Sequence, residues 1–534
     1  SILHKQDWFL EDAFKADFDR AGGGFLACSS ERFFNEREFL AHECYLFLTK
    51  KPVDRKLSSS AYSGLLRRSI VPRDVLDTVA TDSFLDSCAQ LERILNDSGF
   101  VSLSRLKDDD LAGTANRAGI IERYTFLLNE REPSLLRDIH LDKGIRIGEK
   151  KCQLFTLSDA EDLPALCGSR INYDRYSTDH TKFSIGFASS LGCLLPCNHI
   201  LNQYVFGEDA LQTIKRLEAK KLRLQSLSAY SRENAVSRDA VNDFLNEAVA
   251  QQRMPIKAHF NVLCWADDDD KVNEIKNWVS SGMAQMDTVA KMETNGAPQI
   301  WWAGMPGNAA DFPMNDTLDT FAEQASCFFN LETNYRDSIS AFGIRLGDRL
   351  TGRPVHVDIS DEPMRLGWIT NRSKFICGPS GSGKSFLTNH ILRSYYEQQA
   401  HIMIIDIGHS YKGLCDLVEG YYFTYSEDDP ICFNPFYLVE DDLLDTEKKE
   451  SIKTLLLALW KKDDETYRRS EYVALSNALT LYYDFLDRYP DVFPSFNTFY
   501  EFLMNEYTRV LKGGKVKDRD FDEGDVLYVV APYF

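Results

Sequence analysis

With 534 residues, the chain is too long for one ordinary domain and has room for about three. Apolar residues make up 44% and aromatic residues 12%, enough for real cores, which excludes global disorder. Sixty-one basic against 81 acidic residues leave a net charge of −20. That balance argues against a protein that coats DNA, while leaving room for a local basic channel.

No run approaches 18 uninterrupted apolar residues, so no bilayer-spanning helix is expected and membrane contact would come through partners. The N-terminus has no basic-then-apolar signal segment. Twelve cysteines are scattered without a disulfide spacing, several in apolar surroundings (Cys264, Cys327, Cys377, Cys432). This suits reduced, buried thiols of a cytosolic protein. The chain begins at Ser1 rather than methionine and stops in an apolar run, Leu527 to Phe534, so a piece of something longer is expected.

Residues 1 to about 200 mix short strands and helices. His42 to Thr49 alternates like a half-buried strand, and Ser83 to Asn96 has helical periodicity through Phe84, Cys88, Leu91, Ile94 and Leu95. Ile145 to Leu157 and Lys182 to Phe187 read as further strands. Cys193-Leu-Leu-Pro-Cys197-Asn-His199 is the one cluster with a metal-like spacing, but it lacks a second half, and Leu194 and Leu195 favour a structural role.

Leu211 to Arg253 predicts a long helical region broken near Ser226–Ser231. Leu211, Ile214 and Leu217, then Val241, Phe244, Leu245 and Ala248, give one buried stripe in each half. Lys215 to Arg223 is the most basic segment. It could touch nucleic acid or anionic lipid, but such a run is more often a solvated helix face. Asp267 to Asp270 lies between a strand (His259 to Trp265) and a helix (Val272 to Met286), where carboxylates cap a helix start rather than hold a metal.

Gly343 to Asp348 and Pro354 to Asp358 read as a hairpin, with a domain boundary near 340. Gly378-Pro379-Ser380-Gly381-Ser382-Gly383-Lys384-Ser385 then matches the full phosphate-loop pattern G-x-x-x-x-G-K-[ST]. Lys374 to Cys377 reads as the end of a buried strand, and Ser385 to Tyr396 as a helix starting on the loop. The three glycines let backbone N–H groups turn inward, and the helix that follows, with Phe386 in its first turn, aims its positive dipole end at the same point. Lys384 can reach terminal phosphates and the Ser385 hydroxyl can ligate Mg²⁺. A nucleoside triphosphate, ATP with Mg²⁺, is the expected ligand.

His401 to Asp406 reads as a buried strand ending in a carboxylate, as a parallel nucleotide-binding sheet supplies. Asp406 follows four apolar residues and is a candidate to stand near Mg²⁺; packing at a sheet end, or contact with Lys384, is the alternative. As a catalytic glutamate, three Asp-Glu pairs fail on context: Asp361-Glu362 precedes the phosphate loop, Asp464-Glu465 sits in a helical loop, and Asp522-Glu523 comes before an apolar run, not after one. From about 440 to 512 the pattern is helical only: Glu447–Trp460, Glu471–Arg488 and Asn497–Leu511.

Several passages together resemble the TraG-type conjugal transfer ATPases, the VirB-class ATPases of type IV secretion systems. They are His4 to Phe9, Phe34 to Arg37 with Cys44 to Thr49, Leu195 to Ile200 with Asn202-Gln203, Gly352 to Val355, the phosphate loop, Ile405 to Lys412, and Phe433 to Phe436. The resemblance implies an N-terminal α+β interaction domain (1–340, with a subdivision expected near 205), then a RecA-like α/β P-loop core of the HerA/FtsK lineage. That core would comprise 341–439 and 513–534, interrupted by an all-helical insertion at 440–512. It also implies an ATP-driven motor at the cytoplasmic face of the bacterial inner membrane, peripheral to it. Inner-membrane channel subunits and a coupling protein would be its partners, with self-association, often as a hexamer. The family's catalytic glutamate and trans-acting arginine are expected beyond Phe534. A DNA-pumping translocase, or a nucleotide-binding scaffold without turnover, are the competing readings.

Overall fold

The computed structural model describes residues 1–13, 25–51, 77–129, 132–133, 135–157, 159, 162–177, 179–332, 337–348, 352–424, 426, 433–438, 445–461, 465–507, 509 and 523–531. Cys432, Asp464, Asp522 and residues 513–522 and 532–534 lie outside them. The packing gives two compact units, Ser1–Ile405 and Asp406–Phe534.

The first unit is organised by one antiparallel sheet. Its strands are β1 (Ile2–Ala13), β2 (Glu38–Thr49), β3 (Ile139–His140), β4 (Ile145–Ile147), β5 (Lys150–Leu157), β6 (His199–Phe206), β7 (Pro255–Ala266), β8 (Lys291–Glu293) and β9 (Leu318–Phe321). The main order is β2-β1-β6-β7-β5-β4-β3, with β8 paired to β5 and β9 to β7. The strand expected at 42–49 is thus part of β2, and the one expected at 145–157 is a hairpin, β4–β5. Val205 lies inside β6, paired to Leu3 on one side and Ala258 on the other. The subdivision expected near 205 therefore falls in the middle of a continuous sheet.

Helices cover both faces, which explains why β7 is buried along nearly its whole length. Leu263 and Trp265 face a cluster that includes Trp8, Ile120, Tyr124, Ile300 and Phe312. Ile256, Phe260, Val262 and Cys264 face the opposite cluster with Ile275, Val279 and Met283. The first face also holds a buried polar row. Register sets Gln6 opposite Asn202, and Asn202 opposite Asn261. Asn202 Oδ1 accepts from Gln6 Nε2 at 2.6 Å, and Asn202 Nδ2 donates to Asn261 Oδ1 at 2.9 Å. Buried amides need such partners.

Three helices of this unit test the periodicity reading. Thr78–Asp97 (α1) is capped by Asp77 but buries none of its residues. Ala210–Leu227 (α3, following α2 at Ile120–Phe126) and Arg232–Ala250 (α4) are broken where expected. Their buried stripe is narrower than the sequence suggests: Leu217, Leu245 and Ala248 are buried, whereas Leu211, in the first turn, is 69% exposed. In the basic run, Arg216 bonds Asp319 at 2.8 Å and Lys221 bonds Asn242 at 2.7 Å, while Lys215, Lys220 and Arg223 lie at the surface. Asp268 caps Asp269–Gln285 (α5) by accepting from Asp270 N at 3.1 Å, as the sequence predicts.

The second unit is a helical body: Thr446–Trp460 (α7, after α6 described below), Arg469–Arg488 (α8), Phe496–Phe502 (α9) running into a wider turn at Leu503–Tyr507, and Glu523–Val530 (α10). Phe436, Ile452, Leu475, Leu479, Tyr482 and Phe499 form its core. The described part of 513–534, expected to return to the nucleotide-binding core, is α10, whose Val526 and Val530 join this helical core. Phe436 is fully buried there, and Asn434 Nδ2 donates to Pro494 O at 2.7 Å, so the Asn434-Pro435-Phe436 turn anchors helices.

Candidate nucleotide-binding site

The loop singled out by its glycines sits on a small scaffold within the first unit. A hairpin, β10 (Ile344–Gly347) with β11 (Pro354–Val357), forms as the sequence predicts. It packs on α6 (Lys384–Glu397). Gln398 Oε1 accepts from Gly343 N at 2.8 Å, and the Phe342 ring lies 4.7 Å from that of Tyr395. Between hairpin and loop, the buried Asp358 carboxylate accepts the N–H groups of Ser360, Asp361 and Glu362 at 2.8, 3.0 and 2.9 Å, starting the turn Asp361–Arg365. Burial pushes this carboxyl up, and the three N–H donors outweigh it, leaving its pKa lowered.

Gly381 and Gly383 have φ of 78° and 89°, the left-handed region that a side chain resists. At Gly378 a Cβ would meet Ser382 Oγ at 2.5 Å. Gly383 stands at the N-cap of α6 and no side chain caps the helix. The first-turn N–H groups, on Lys384, Ser385 and Phe386, therefore have no intrahelical acceptor; the first helical bond runs from Leu387 N to Gly383 O at 2.9 Å. Lys384 Nζ donates to Gly378 O and Pro379 O, both at 2.8 Å, folding the ammonium over its own loop. Ser385 is exposed, and Phe386 is 82% exposed. Gly378, Pro379, Ser380, Gly381, Ser382, Gly383, Lys384, Ser385 and Phe386 thus form one turn, with free N–H donors at a helix start and a cation across it. That arrangement suits phosphate oxygens.

Two strand readings around the loop are corrected. Lys374–Cys377 and His401–Asp406 form no ladder with any described residue, and Phe375 and Ile405 are 93% and 91% exposed. The apolar run encodes an extended backbone; a strand further needs a neighbour to accept and donate its hydrogen bonds, and no described segment supplies one.

Asp406 belongs to the second unit. Its Oδ1 accepts from Gly408 N at 3.1 Å, and its Oδ2 is buried without a hydrogen bond. In the cysteine cluster, His199 turns Nδ1 to Cys197 O at 2.7 Å and Nε2 to Gly192 O at 3.0 Å, so both ring nitrogens meet backbone carbonyls. Cys193 Sγ donates to Glu332 O at 3.2 Å. Among the described residues no group of three or more His, Cys, Asp or Glu side chains could hold a metal, and no helix is long and apolar enough to cross a membrane.

Residues 343–534 match the family described as the TraG P-loop domain. This chain carries a TraG P-loop domain. A stretch of 72 residues is also 33% identical to Protein TraC of Escherichia coli (strain K12), covering 14% of this chain and 8% of that protein. The chain thus matches only a small part of that relative's length. The TraG P-loop domain begins at the β10–β11 hairpin and takes in the phosphate loop, α6 and the helical body. Within it, the pose of Lys384 on loop carbonyls is the feature the sequence did not reveal, since the pattern fixes which residue is there but not what it bonds without a phosphate.

Proposed function

We propose that the TraG P-loop domain of this chain binds ATP with Mg²⁺ at residues 378–386 and works as the motor of a conjugative type IV secretion machine. The observation that carries the reading is the uncapped start of α6 behind a left-handed Gly383, with Lys384 bonded across the turn. The N–H groups of the turn and the helix start hold the β- and γ-phosphate oxygens, and Lys384 exchanges its carbonyl partners for them. Bound Mg²⁺ would supply charge neutralisation between those phosphates. The exposed Ser385 hydroxyl would hold it in place. Around this site the chain is a RecA-like core whose turnover drives channel or pilus assembly and substrate transfer. The N-terminal sheet contacts inner-membrane channel subunits and the coupling protein, and the motor acts as a homo-oligomer, a hexamer being the expected form, peripheral to the inner membrane.

Calorimetric titration with a non-hydrolysable ATP analogue tests the core of this. Saturable binding that needs Mg²⁺ and is lost in Lys384→Ala is expected; equal heats for the wild type and that variant would remove the nucleotide reading.

A further inference from the structure

Cys197 is held where two strands of the first unit's sheet meet a cavity. The turn at 196–198 is pinned from both sides. Asn198 O accepts from Trp265 N of β7 at 3.3 Å, and Asn198 Oδ1 accepts from Glu11 N of β1 at 2.7 Å. Register pairs His199 with Cys264, so Cys197, two residues earlier, meets Cys264 diagonally across the ladder. Both side chains pack into the same apolar cluster, and the Cys264 thiol stands within hydrogen-bonding reach of Cys197.

The cavity, of about 390 Å³, opens beside this turn, with Cys197, Asn198, Trp265 and Trp278 in its wall. Cys197 is only 5% exposed and Cys264 is fully buried, so the cavity is the way in for a reagent, and it reaches Cys197 first. Among the described residues lining it, five carboxylates stand against three cations. Such a wall repels anions and admits a small uncharged molecule.

The two thiols are also unlike. Hydrogen bonding from Cys264 lowers the Cys197 pKa against the effect of burial; His199 adds to the lowering and Glu11 opposes it. Burial, and then Cys197 itself, raise Cys264. Elsewhere burial pushes Cys44, Cys152 and Cys193 up to about 12. The thiolate is the reactive form, so the sulfur on the cavity wall is the one that attacks and its neighbour is the one that follows.

We propose that Cys197 is a modification site for hydrogen peroxide or a small uncharged hydroperoxide, reached through this cavity, with Cys264 as the thiol that closes a disulfide. The Cys197 sulfur attacks one peroxide oxygen; the S–O bond forms, the O–O bond breaks, and hydroxide leaves and takes up a proton. The sulfur is oxidised by two electrons to the sulfenic acid, and the peroxide is reduced. Cys264 sulfur then attacks Cys197 sulfur; the S–S bond forms, the S–O bond breaks, and the departing hydroxide carries off the Cys264 proton as a second water. The site is separate from the phosphate loop and does not rest on the nucleotide proposal.

The full chain is treated with a small molar excess of hydrogen peroxide, alkylated and mapped by peptide mass spectrometry. Cys197 is expected to be consumed several-fold faster than the exposed Cys28 and Cys377, yielding a Cys197–Cys264 linked peptide that dithiothreitol reverses. Cys264→Ser leaves the first step without the second, so dimedone should tag Cys197 as its sulfenic acid. Oxidation of Cys28 or Cys377 ahead of Cys197, or a link from Cys197 to Cys152 or Cys193 instead, would overturn the proposal. Anionic glutathione disulfide is expected to leave Cys197 free; modification at the pace of peroxide would overturn the assignment to an uncharged oxidant. If circular dichroism shows Cys264→Ser unfolded, the order of oxidation and the linked peptide in the wild type decide alone.

Discussion

Lys384 cannot serve its loop and a phosphate at once. Its ammonium now satisfies two carbonyl oxygens, at Gly378 and Pro379, and a ligand must draw it away. Lys384→Ala removes both roles, so nucleotide affinity should fall by at least about tenfold, about 1.4 kcal/mol, with thermal unfolding little changed; a fluorescent nucleotide titration and a melt measure both. Gly383→Ala acts through the backbone instead. At φ of 89° a Cβ costs about 1–2 kcal/mol, and relaxing it turns the helix start away, so binding should weaken even though Lys384 is intact. Elsewhere, burial holds His4 and His259 down to about 4. Their folded pKa lies below the unfolded value of about 6.5, so the unfolded chain takes up protons first. Their contribution is fully present above about pH 6.5 and is lost as pH falls toward about 4, on the order of 3 kcal/mol for each histidine. Hydrogen exchange of β1 and β7 across that range should show the loss, and His259→Gln should flatten it. The glycine turn and the helix start behind it were legible in the sequence because their residues are contiguous. His4 and His259 were not, since their burial depends on strands far apart in the chain.

Elements differed in how far pattern alone could place them. The helices at 446–460 and 469–488 follow their apolar period to within a few residues, because each buries a stripe against its neighbours. The helix at 78–97 has the period and a side-chain cap yet buries nothing; period reports local amphipathicity and not the presence of a partner. Lys374–Cys377 and His401–Asp406 fail for the related reason that strand pairing is a property of two segments. In the helical body, Tyr482 is fully buried, its ring centroid 5.1 Å from that of Phe499, and its hydroxyl meets Thr498 Oγ1 at 2.6 Å. Tyr482→Ala should cost about 3–5 kcal/mol, lowering the urea midpoint of this body. Tyr482→Phe keeps the ring, removes the hydroxyl's bonds to Thr498 Oγ1 and to the Ser495 backbone and should cost about 0.5–1.5 kcal/mol.

At the scale of the whole molecule, the cores of the two units share no residue. Unfolding followed by hydrogen exchange should therefore resolve two transitions, with Tyr482→Ala moving only the one that reports on α8. A single transition moved as a whole would show the units to be cooperative. The charge of −20 also predicts that DNA retention on this chain is weak and vanishes steeply with added salt, which a filter-binding series would measure.

The sheet's order has a consequence for synthesis. β1 can zip onto β2 soon after both leave the ribosome, but its other edge waits for β6, since Ile2 pairs with Phe206. At about 5–20 residues per second, some eight to thirty seconds pass with an apolar ribbon open on one side. A nascent chain of this kind is a natural client for a chaperone stationed at the tunnel exit.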